Sequence, residues 1–122
     1  MKLQLVLALG AVLGAAAPSL AMAECQRPAA PAAVDGAKVT LEQLMTAKQA
    51  VIAFMSASDD YQACVIKDVT DQKAAAKAAK TKFDPAIAKA ADARVSENQA
   101  DKERVGADFN TAAKAYRAAH PS

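Results

Sequence analysis

Few side chains in this 122-residue chain could do chemistry: two cysteines, Cys25 and Cys64, one histidine, His120, the adjacent carboxylates Asp59 and Asp60, and the lysines between Lys73 and Lys89. His120 falls in an expected frayed tail over 120–122, so neither a Ser/His/Asp nor a Cys/His pair has an anchored base. Neighbouring carboxylates on a helix point in different directions, so Asp59 and Asp60 suit neither a metal pair nor paired acid–base work. No other His, Cys, Asp or Glu shows metal-ligand spacing, and no glycine-rich phosphate loop is present. The pattern speaks against an enzyme and implies no cofactor.

The cysteines take their meaning from the start of the chain. Met1-Lys2 is followed by the apolar run LQLVLALGAVLGAAA, then Pro18 and the small-residue site Ala21-Met22-Ala23. That order is a secretory signal peptide over 1–23, with cleavage before Glu24. The run is shorter than the ~20 residues that span a bilayer, so no membrane span is expected in the mature chain. Glu24, charged, stands where lipoprotein processing at Cys25 wants a small residue. Both cysteines then belong to an exported chain in an oxidising compartment. They are too far apart for a Cys-x-x-Cys redox pair, so a structural Cys25–Cys64 disulfide is expected. Loss of Lys2 takes the formal charge from +2 to about +1, which singles out no partner.

Lys73, Lys77 and Lys80 are spaced to share a helical face, with Lys82 and Lys89 nearby. Such a group could meet lipopolysaccharide, phosphate or nucleic acid. Only Phe83 lies close enough to offer stacking, which argues against nucleic acid. A solvated alanine–lysine helix end accounts for the same residues.

The elements that must carry these groups are helices. Thr40 and Gln43 form a capping box, Val39 and Leu44 a hydrophobic staple, and Glu42 suits the first turn. Leu44, Ala47, Val51, Phe54, Ser58, Tyr61 and Val65 then recur every three or four residues. Leu41, Met45, Ile52, Met55 and Ile66 widen that stripe on one side. Asp84-Pro85 restarts a helix, and Ala88, Ala91, Val95, Asn98, Lys102, Val105, Phe109, Ala112 and Tyr116 follow at heptad-like spacing.

The expected fold is all-α: an antiparallel, coiled-coil-like hairpin of helices over about 40–81 and 85–119. A proline-rich N-terminal arm over 24–39, with Pro28 and Pro31 extended and Asp35-Gly36 as a turn, is stapled to it by the disulfide. A turn centred near residue 83 would set Tyr61 against Val105 and Gly106, Ser58 against Phe109, and Val51 against Tyr116. Asn98 would then face Val69 at a wet end. Thr46, Ala50, Ala53 and Ala57 offer the arm a flank of small residues on its way to Cys64.

CQRPAAPAAVDG behind the signal peptide, the Thr-led helix ending YQACV, and the later DKERVGADFNTAAKAY resemble a group of small exported α-helical proteins of Gram-negative proteobacteria. The resemblance spans most of the mature chain. It implies a periplasmic location and this layout, and it implies no activity.

Two functional expectations follow. The first is a non-enzymatic periplasmic helper that binds an envelope protein or forms a homodimer through Leu41, Met45, Ile52, Met55 and Ile66, which the narrow second helix should leave partly uncovered. The alternative is an anionic-surface binder using Lys73, Lys77, Lys80, Lys82 and Lys89 at the hairpin tip.

Overall fold

Thr40 has extended backbone, and its hydroxyl accepts the Gln43 N–H at 3.2 Å while the Gln43 side chain accepts the Thr40 N–H at 2.8 Å. That reciprocal cap starts helix α1, Leu41–Ala78. Asp84 accepts the Ala86 N–H at 2.9 Å and Pro85 takes the first position of helix α2, Pro85–Ala119. In the computed structural model, which describes residues 24–122, these two helices pack against each other and no strand occurs among the described residues. The all-α hairpin and the Cys25–Cys64 disulfide are both present, with the two Cα atoms 5.7 Å apart. The expected signal peptide lies outside the described residues.

The first helix stops at Ala78, before 81, in a Schellman turn. The Thr81 N–H bonds the Ala76 carbonyl at 2.9 Å and the Lys80 N–H bonds that of Lys77 at 3.2 Å. Lys80 occupies the left-handed position, φ 55°, where glycine is usual. A lysine there costs about 1 kcal/mol, which the two turn bonds and the following packing offset. The chain then folds back, so that Thr81, Lys82, Phe83 and Asp84 lie beside Gln72, Ala75 and Ala76 and the second helix begins alongside the end of the first.

This return shifts the helix register by about two to three turns from the expected one. Asn98 lies against Ser58, not Val69, and is fully buried rather than at a wet end. Tyr61 packs with Val65 and Ala91 and receives Arg94, not Val105 and Gly106. Gly106 sits beneath Met55, and Val51 lies beside Val105 and Phe109 rather than Tyr116. The reason is polar satisfaction. Ser58 and Asn98 are the two fully buried polar residues among the described ones, and in this register each is the other's partner at 3.2 Å. Around them Leu44, Phe54, Tyr61, Val65, Ala91, Val105 and Ala112 make a thin core.

The arm takes a route other than the expected one. Thr46, Ala50, Ala53 and Ala57 are all exposed. From Cys25 the chain instead follows the groove between the helices: Pro31 to Val34 meet Ala47 and Val51 of α1 together with Val105, Asp108 and Phe109 of α2. A groove covers an extended chain on two sides, whereas a single helix flank covers one. The second helix also supplies charge, since Arg27 donates to Glu97 at 3.0 Å and to Asp101 at 2.6 Å, and Arg94 donates to the Cys25 carbonyl at 3.3 Å. At the far end Gly36 is buried so tightly on the Ala112 carbonyl that a Cβ would overlap it.

Candidate interaction surface

With α2 on one side and the arm in the groove, part of α1 stays open. Leu41, Met45, Ile52 and Ile66 are 56%, 44%, 51% and 58% exposed, high values for side chains of this size. Met55, expected with them, is half-buried over Gly106. At 100° per residue the five fall within about 80° of the helix circumference, so they form one stripe beside α2.

Two charged residues that the apolar reading passed over lie on the same stripe. Lys48 is exposed, and none of the ion pairs among the described residues involves it. Asp59 stands between Ile52 and Ile66 with its side chain 67% exposed, and it accepts Lys102 of α2 at 2.5 Å. Leu41, Met45, Lys48, Ile52, Met55, Asp59, Gln62 and Ile66 thus alternate four and three apart, a heptad seam along the edge of α2, which Met55, Asp59 and Gln62 touch while Leu41, Met45, Lys48, Ile52 and Ile66 stay exposed. The spacing was present in the sequence, but a search for apolar residues alone misses its charged members.

At the tip, Lys73, Lys77, Lys80, Lys82 and Lys89 are all exposed. They do not share one helical face, because the helix ends before Lys80. Lys73 lies over the Phe83 ring at 5.5 Å, and Lys77 occupies the last turn, where the helix dipole favours a cation. The open hollow beside Lys82 also contains Asp84, whose carboxylate caps α2 and opposes an incoming anion.

The buried polar groups are engaged with one another. Asn98 donates to Ser58 and accepts from Gln62 at 2.9 Å, and Gln62 also reaches Gln99 at 3.3 Å. The Tyr61 hydroxyl accepts Arg94 at 3.1 Å. The crevice under the arm, about 20 Å³, is large enough for a water and too small for a ligand. Among the described residues no three His, Cys, Asp or Glu side chains group to hold a metal, and no helix is long and apolar enough to cross a membrane. His120 closes α2 with its ring stacked on Tyr116, centroids 4.2 Å apart.

Two ion pairs shift ionisable groups in them: within α1 the hydrogen bond to Asp71 raises Lys67, and the other pair joins the arm to α2. Hydrogen bonding to Arg27, aided by Arg104, holds the Asp101 carboxyl below its ordinary value, and Asp101 in turn raises Arg27. Both belong to the arm's anchorage.

Comparison with protein-family models, with curated proteins and with solved structures finds no match to the chain.

Proposed function

We propose that this chain is an exported, non-enzymatic interaction protein of the cell envelope whose working surface is the open stripe of α1. The observation that carries the reading is the exposure of Leu41, Met45, Ile52 and Ile66 along one side of α1, next to the side that α2 and the arm cover. Covering each of them would be worth about 1 kcal/mol, enough in sum to support specific association. An extracytoplasmic setting is consistent with the disulfide and with the N-terminal 23 residues read as an export signal. The helix–helix seam and the arm groove are filled, so neither offers room for a substrate.

The second reading places the activity at the lysine tip, on an anionic surface. It is favoured by five exposed lysines that no carboxylate among the described residues pairs. Asp84 in the adjoining hollow counts against it.

Hydroxyl-radical footprinting of the exported protein at its working concentration, compared with the dilute purified chain, separates the two. The stripe reading expects protection at Met45 and Ile52, with residues 77–82 equally reactive in both states. Protection confined to 77–82 and abolished by salt would overturn it in favour of the tip.

A further inference from the structure

We infer that the occupant of the open stripe is a second copy of this chain, docked antiparallel about a twofold axis that passes between Ala53 and Phe54 of each α1. The inference deepens the proposed function and rests on the stripe being the working surface.

The charges within the stripe select this occupant. An isologous twofold contact requires that whatever residue i meets, its symmetry mate also meets in return. Reflecting the seam about its midpoint sets Ile52 against Met55, and Leu41 against Ile66. The same operation sets Lys48 against Asp59, once on each side of the axis. Lys48 is exposed with no ion pair among the described residues, and Asp59 has one carboxylate oxygen on Lys102 with capacity left for a second cation. Each Asp59 would then lie between Lys102 of its own chain and Lys48 of the other.

The flank repeats the pattern. Antiparallel helices bring like flanks together, and Glu42 and Lys67 lie on one flank, centred within one residue of the same axis. Glu42 is exposed, and the Lys67 side chain is 75% exposed while reaching Asp71. One operation therefore makes complementary partners of Lys48 with Asp59 and of Glu42 with Lys67. A parallel pairing would instead face Lys48 with Lys48 and Asp59 with Asp59, which repels. Because α2 lies to one side of the stripe in each copy, the same rotation brings the two α2 helices side by side and closes a four-helix bundle.

A charge exchange tests the register directly, with sedimentation velocity on the disulfide-bonded exported chain. The native protein should sediment as a dimer at high micromolar concentration. Lys48→Glu and Asp59→Lys each place two repulsive pairs in their own dimer and should weaken it by on the order of tenfold or more. Mixed together they make two attractive pairs per heterodimer, so the mixture should recover the dimer that neither forms alone. A monomeric native chain, or a mixture that stays dissociated, overturns the inference. If Asp59→Lys fails to fold beside Lys102, Lys48→Glu still decides, because it must weaken the dimer at low salt and recover as salt screens the repulsion. Ile52→Asp separates this failure from failure of the functional reading. A dimer lost in Ile52→Asp but indifferent to the charge exchange keeps the stripe and discards the axis, whereas a dimer that survives Ile52→Asp discards the stripe itself.

Discussion

Asn98 determines how the two helices align. Its amide fills a fully buried site, donating to Ser58 and accepting from Gln62. Asn98→Ala should cost about 2 kcal/mol in urea unfolding, because it strands the Ser58 hydroxyl and opens a void. Pairing Ser58→Ala with Asn98→Leu should cost less than Asn98→Ala alone, since both polar partners then leave together. A double variant that costs more would locate the penalty in packing rather than in the hydrogen bond. Asp101 supplies a second residue-scale prediction. Its folded pKa is depressed, first by the Arg27 hydrogen bond, so its stabilisation is present above the ordinary carboxylate range and is lost as pH falls through the folded value. The Tm gap between the native chain and Asp101→Asn should therefore be open near neutral pH and close below about pH 4. An unchanged gap down to about pH 2 would show that Arg27 does not rely on that charge. The sequence made Asn98 visible as a polar interruption of a heptad. Its partner was not visible, because partnership depends on register, and register depends on a turn that spacing alone does not locate.

At the scale of elements, what could be read was local and what could not was long-range. The Thr40 cap, the Asp84-Pro85 restart and the disulfide rest on short motifs or on compartment, and all three are present. The end of α1 escaped because its Schellman turn uses Lys80 where glycine is the usual signal. The arm's route escaped for a related reason: small residues lined one flank of α1, but the groove beside it exists only once both helices are in register. Gly36 is the marker of that route. Gly36→Ala would force a methyl group into the Ala112 backbone, and either the arm or the helix must move. A loss of about 1–3 kcal/mol is expected, together with faster protease cleavage between Arg27 and Lys38 while the disulfide stays intact. Unchanged cleavage would mean that the arm is held by Cys25 and Arg27 alone. The open stripe was readable as an apolar row, whereas the place of Lys48 and Asp59 within it became meaningful only when α2 and the arm proved to leave that side uncovered.

The whole molecule is a thin hairpin with an arm laid along its seam, and its small core gives little reason to keep large apolar side chains in water unless they are used. Leu41, Met45, Ile52 and Ile66 remain about half exposed, although alanine would serve the helix as well. Charge does not explain them, since the net value of +2 over the full sequence is small and the lysine tip lies at the other end of α1 from Leu41 and Met45. Whether that stripe makes contacts is therefore the deciding question for this protein. Sedimentation of the native chain beside Ile52→Asp, both at high micromolar concentration and with matching far-UV circular dichroism, asks this most directly. The account predicts an associated native protein and a folded, monomeric Ile52→Asp variant. Identical sedimentation of the two would contradict it.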